Sequence, residues 1–220
     1  MLVCMPGIAV ILITLWFSRD AAIKESKKEV IHIAEHLVTQ QKNIIDDVQR
    51  LTLFLAHRQI NIHDMSVSCP EYFSDIQTLY KTIANVSIYN RQGDILCATK
   101  GKNQNINISD RPYFQNALET KTFSIGSYQI GRSIHAPNVA FASPILDENN
   151  EITGMLVASI ALQWWNSALN DLILMHKSRA VIIDSNNLVL AKFPFSPDRV
   201  GKKVTNDDIE HNQQGDVIYK

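Results

Sequence analysis

Cysteine is scarce in this 220-residue chain. Cys4, Cys69 and Cys97 form no C-x-x-C pair and stand apart from the seven histidines, so neither a zinc framework nor a dithiol redox motif is present. His32 and His36 share a helical face at i, i+4, a spacing that a solvated helix surface accounts for without a metal. An excess of one charge is lacking too. The chain holds 21 basic and 22 acidic residues, and no basic stripe interleaves with aromatics, which excludes the electrostatic footprint of a nucleic-acid binder. There is no G-x-S-x-G, no H-E-x-x-H and no glycine-rich phosphate loop, so the recognisable hydrolase, metalloprotease and nucleotide-binding chemistries are missing. Asp46-Asp47 and Asp207-Asp208 are sequence neighbours, and at most one member of each pair points into any one site. No catalytic residue, metal site or cofactor is expected.

What is present is apolar: 45% of the residues, enough for a sizeable core and for one full domain with part of a second. Leu2 to Phe17 carries no charge and would span about 24 Å as a helix, slightly short of the ~30 Å hydrocarbon core. No basic residue precedes it and no small-residue cleavage site precedes Arg19, so a retained membrane anchor fits better than a secretory signal or a buried core helix. From residue 18 to 60 the pattern is one long helix. Ile23, Val30, Ala34, Leu37, Ile44, Val48, Leu51 and Leu55 follow steps of three and four, with Lys27 and Gln41 as polar breaks. This 23–55 seam is expected to pack along a domain and to make a modest homodimer contact.

Beyond a polar loop at 61–68, a shorter helix is expected from Pro70 to Ile83, and then the period changes. Residues 85–90 and 95–99 alternate around the Arg91-Gln-Gly-Asp94 turn and read as a hairpin. Ser109 or Asp110 caps a helix running to Thr120, with Pro112 in its first turn. Three strands follow, at 122–130, 138–146 and 152–162. A connecting helix at 163–178 leads to a second strand, turn and strand at 179–193, repeating the first hairpin. The expected class is α+β: the long helix, a PAS-like five-stranded antiparallel sheet over 61–162, and the start of a second, incomplete PAS-like unit over 179–220.

Four motifs carry a resemblance: Asp110-Arg-Pro-Tyr-Phe114, Gly126-Ser-Tyr-Gln-Ile-Gly-Arg132, Phe141-Ala-Ser-Pro144 and Gly154-Met-Leu-Val-Ala-Ser-Ile-Ala-Leu162. From about Ser18 to Lys220 the chain resembles the double Cache (tandem PAS-like) extracytoplasmic sensor domains of bacterial transmembrane signalling proteins. Sensors of this kind stand ahead of diguanylate cyclase or histidine kinase modules, and also ahead of chemotaxis signalling helices. The resemblance implies an inner-membrane protein whose sensor lies in the periplasm, a non-enzymatic chain, and an output module outside it. The periplasm is also a compartment in which Cys69 and Cys97 can pair as a disulfide; as sequence alone they are equally two unpaired small hydrophobes.

The ligand-binding candidates are Arg111, Tyr113, Phe114, Tyr128 and Arg132. An arginine at a helix start can offer its planar fork to a carboxylate or phosphate beside the positive end of the helix. Tyr113 and Phe114 would wall the site, with Tyr128 supplying a hydroxyl and Arg132 a second cation at the rim. Structural roles remain open for all five, including an Arg111 salt bridge with Asp110 or Asp94. In double Cache members that bind α-amino acids, the ligand amine meets an aspartate in the last distal strand, a position occupied here by Ser159. The tyrosine expected five residues before the arginine is Ile106. An ammonium group would be desolvated without a carboxylate partner, so a small anion is the expected ligand.

Overall fold

The computed structural model describes residues 5–57, 73, 76–100, 105–173, 180–205 and 208. They divide into two units, residues 1–43 with 205–220 and residues 44–204. One helix, α1 (Met5–His57), supplies residues 5–43 of the first unit. Early in α1, Leu15, Trp16 and Phe17 are exposed, and Lys24 pairs with Asp20 one turn earlier at 2.8 Å. The apolar run expected as an anchor has its first residues outside the described ones. No described helix is long and apolar enough to cross a membrane, since Arg19 and Asp20 closely follow Phe17 and end the run.

The second unit opens with the end of α1, where Val48, Leu51, Thr52, Leu55 and Ala56 are buried. The last part of the 23–55 seam is therefore spent on the domain. Of the expected helix over 70–83 the described part is α2 (Ile76–Leu79), and Ile83 instead opens β1 (Ile83–Asn90), drawn there by pairing with Ile160. β2 (Ile95–Ala98) completes the first hairpin, whose turn is closed by the Asp94 amide donating to Asn90 Oδ1 at 2.8 Å. α3 (Pro112–Thr120) then precedes β3 (Ser124–Ile125), β4 (Gln129–Ile130), β5 (Pro137–Leu146) and β6 (Ile152–Ala161).

The strands form an antiparallel sheet in the order β2-β1-β6-β5-β3, with β4 also on β5, so six strands fill the five positions expected. The expected single strand at 122–130 is broken at Gly126–Tyr128. A Cβ on Gly126 would lie 2.9 Å from the Tyr113 ring and 3.0 Å from the Ala140 carbonyl. The Tyr128 amide turns away from β5 and donates to Asp184 Oδ2 at 3.0 Å. Alternation gives the sheet two apolar faces. One carries Val86, Ile88, Phe141, Leu156, Ala158 and Ile160, with Ser143 on the same side donating to Thr52 of α1 at 2.7 Å. On the other, Ala140, Ala142, Met155 and Val157 pack under Tyr113, Phe114 and Ala117 of α3 and against Ile106 and Ile108.

α4 (Leu162–Ile173) follows β6 directly, and the second hairpin, β7 (Ala180–Ile183) and β8 (Val189–Phe193), repeats the first as expected. Asp184 caps its turn, accepting from the Asn186 and Leu188 amides at 2.8 and 2.9 Å, while Asn187 takes the left-handed conformation that asparagine tolerates. Cys97 is buried at the end of β2 and disulfide-bonded. Cys69 lies outside the described residues, as do Pro70 and most of the chain after Thr205.

Candidate functional site

The sequence places polar residues at every second position of β1, and the fold buries them. Asn85, Ser87 and Tyr89 point to the α3 side of the sheet and are at most 4% exposed. Asn85 is saturated: its Nδ2 donates to Ser87 Oγ and Ser133 Oγ, both at 2.8 Å, and its Oδ1 accepts from Thr99 Oγ1 at 2.7 Å and the Lys100 amide at 2.8 Å. A polar side chain so fully bonded is a structural hub that ties β1 to β2 and to the turn after β4. Tyr89 lies near Ser87, and Tyr113 near Gln129. Gln129 Nε2 in turn donates to Asn138 Oδ1 at 3.1 Å. Asn138 Nδ2, packed close to Gly131, is a buried donor with no hydrogen-bond partner among the described residues. Burial raises both tyrosine hydroxyls from their ordinary value, Tyr89 the further, so they remain neutral donors, and the positive fields of Arg111 and Arg132 partly oppose that shift.

Arg111 stands at the N-cap of α3, which corrects the expected cap at Ser109 or Asp110. Pro112 forces the residue before it into extended backbone, φ −80° and ψ 128°, and Arg111 accordingly makes no side-chain cap bond. Its guanidinium reaches across to donate to the Ile130 carbonyl at 3.3 Å. Arg132 takes the carboxylate instead. Its two terminal nitrogens grip Asp110 as a fork, at 2.6 and 2.7 Å, and one of them also donates to the Asn107 carbonyl. The Asp110 salt bridge weighed for Arg111 thus belongs to Arg132. The Arg132 hydrogen bond holds the Asp110 carboxyl down to about 2, and Asp110 raises the Arg132 pKa in return.

The five sequence candidates separate. Arg111 and Tyr113 meet at the start of α3, with Arg132 close enough for its field to reach both Tyr89 and Tyr113. Phe114 is 1% exposed and belongs to the apolar cluster under α3. Tyr128 is turned to the second hairpin: a Cβ on Gly201 would strike its ring at 2.2 Å. Ser159 lies in register with Asn85 and Ala140 on the α3 side, and Ile106 is buried in the apolar cluster. Among the described residues of the 44–204 unit no acid is buried, and none of the described residues form a cluster of three metal-ligating side chains. The site offers neutral donors and arginines, with no nucleophile and base set against each other.

The sequence model of the Cache domain family matches residues 17–220. The chain belongs to the Cache domain family. Its solved neighbours share this fold at low identity. The sensor domain of the V. cholerae histidine kinase DctB superposes with a TM-score of 0.64 at 17% identity, covering 85% of this chain and 72% of that one. The ligand-binding domain of the P. aeruginosa amino acid chemoreceptor PctC, solved in complex with GABA, gives 0.59 at 14% identity, covering 78% and 77%. Sporulation kinase D of Bacillus subtilis is 30% identical over 81 residues, 37% of this chain, and this Cache chain spans 16% of that kinase's length. Cache domains of histidine kinases are extracytoplasmic sensors of membrane proteins and are not themselves catalytic.

Proposed function

We propose that this chain is the periplasmic ligand-sensing part of a membrane-bound signalling protein, and that it binds a small anion at Arg111 and transmits through α1. The observation that carries the reading is Arg111 itself. It is a half-buried residue at the N-terminal end of a helix, above a buried polar stripe that contains no acid, and among the described residues its guanidinium has a single hydrogen bond, to a backbone carbonyl. A carboxylate placed there gains a planar two-pronged partner and the positive end of α3. Tyr113 and Tyr89 would donate from the floor.

The bound GABA of the chemoreceptor neighbour carries a carboxylate and an amine. Here Ser159 and Ile106 offer an ammonium group no negative partner, which favours an acid without an amine. Membrane attachment is supported by the exposed Leu15, Trp16 and Phe17 near the start of α1, tryptophan being a residue of membrane interfaces. The disulfide at Cys97 suits an oxidising compartment. A kinase, cyclase or chemotaxis module elsewhere in the protein would be the output.

The test is a thermal-shift screen of small carboxylates, amino acids, amines and purines, with Arg111→Ala alongside. One class of acids should raise the melting temperature, following RT ln(1 + [L]/Kd), and the variant should lose the shift while keeping its fold. A shift with amines alone, or one indifferent to Arg111, sinks the reading. A second reading, a dimerisation module, draws on Phe54, 63% exposed beside a groove of about 280 Å³ that Asp47, Arg50, Leu51 and Tyr80 also line. That reading requires a flat screen together with melting that depends on protein concentration.

A further inference from the structure

The two arginines at the mouth of the site differ in what they hold, and Asp110 makes the difference. Arg132 uses both prongs of its fork on Asp110 and adds the Asn107 carbonyl. The segment presenting Asp110 is itself fixed. Asn107 Nδ2 donates to Asp94 Oδ1 at 2.7 Å and to the Gln92 carbonyl at 2.9 Å, and its Oδ1 accepts from the Ser109 amide and hydroxyl at 2.9 and 2.7 Å. The guanidinium of Arg111, the next residue, meets only a carbonyl among the described residues, at the long end of hydrogen-bond reach. Arg132 and Asp110 form an ion pair, and among the described residues Arg111 has no such partner.

We propose that Asp110 is a specificity residue that limits the site to ligands with a single anionic group, monocarboxylates in particular. The proposal rests on the anion reading above. A second carboxylate on the ligand would have to evict Asp110 from Arg132, competing with a group already tethered beside it, or sit next to it as a like charge. Both routes penalise a dicarboxylate and leave a monocarboxylate untouched. The ion pair lies at the rim, with Asp110 61% and Arg132 38% exposed, where an incoming ligand meets it first. Because the Asp110 carboxyl is held down to about 2, the negative charge stays in place at any pH near neutral.

The experiment compares chain-length-matched acids, butyrate against succinate and 2-hydroxybutyrate against malate, by calorimetric titration of wild type, Asp110→Asn and the Asp110→Asn/Arg132→Lys pair. Wild type should prefer the monocarboxylate of each pair. Asp110→Asn, nearly isosteric, frees Arg132 and should move the ratio of affinities toward the dicarboxylate by about tenfold or more. The double variant carries the same net charge as Asp110→Asn but no two-pronged fork, so it should lose most of that gain, which separates a freed guanidinium from a simple change in net charge. Wild type preferring dicarboxylates, or Asp110→Asn leaving the ratio unchanged while binding still depends on Arg111, overturns the role given to Asp110 and spares the anion reading. No response to any acid in any variant overturns both.

Discussion

Asp110 owes its low pKa chiefly to Arg132, with its own backbone amide and the Arg111 charge adding to it, so its stabilising role has a defined pH window. The folded carboxyl titrates at about 2, below its ordinary range, so the pair with Arg132 contributes above about pH 4 and is lost as the pH falls toward 2. Solvent screening at this exposed rim limits the contribution to below about 1 kcal/mol. Urea melts should give Asp110→Asn a small deficit near neutrality that vanishes in acid; a deficit that persists at pH 2 contradicts this. Arg111 was legible in the sequence as a helix-start arginine, and Tyr113 as its neighbour. The partner of Asp110 was not, because Arg111 and Arg132 are chemically alike and only the crossing of the β4–β5 turn over α3 chooses between them. The Asn85, Ser87 and Tyr89 stripe was visible as alternation. Alternation alone does not reveal whether the polar face meets water or lies beneath a helix.

Elements show the same division between local and tertiary control. The hairpins, α3 and the two long strands follow from turn residues and apolar period, and they stand close to where that pattern puts them. The break in the expected strand at 122–130 has a tertiary cause. Gly126 slips beneath Tyr113, and Ser127 and Tyr128 are taken by the second hairpin, with Asn186 Nδ2 donating to Ser127 Oγ at 2.9 Å and Asp184 accepting the Tyr128 amide. Gly126→Ala brings a methyl within 2.9 Å of the Tyr113 ring and 3.0 Å of a backbone oxygen that cannot easily yield. Overpacking of this kind should cost about 1–3 kcal/mol and, because Tyr113 flanks Arg111, should weaken ligand response as well. Denaturant melts paired with the thermal-shift screen check it; unchanged stability would mean that Tyr113 moves aside freely.

At the scale of the whole molecule, a small number of long-range ties supplement the cores. The Cys97 disulfide is one, and removing a native disulfide typically costs about 2–5 kcal/mol. Cys97→Ser, or reductant added to the wild type, should lower the melting midpoint accordingly, and a reductant-insensitive midpoint would contradict this. Family membership was readable from the four motifs because each marks a place where the fold demands a particular shape: a proline at a helix start, a glycine under a ring, or apolar runs in strands buried on both faces.

The hydroxyl pair of Ser143 and Thr52 joins residues 91 positions apart, with Thr52 also donating to the Gln49 carbonyl at 3.1 Å. Seen as a mechanical joint, it removes a degree of freedom. Sliding α1 along its axis by one residue, about 1.5 Å, would part the two oxygens and leave the buried Ser143 hydroxyl without its acceptor, at a cost of about 1–3 kcal/mol. Rotation about the contact keeps the oxygens together. Motion passed from the sheet to this part of the helix therefore meets least resistance as a tilt or twist hinged at Thr52, and most resistance as a piston stroke.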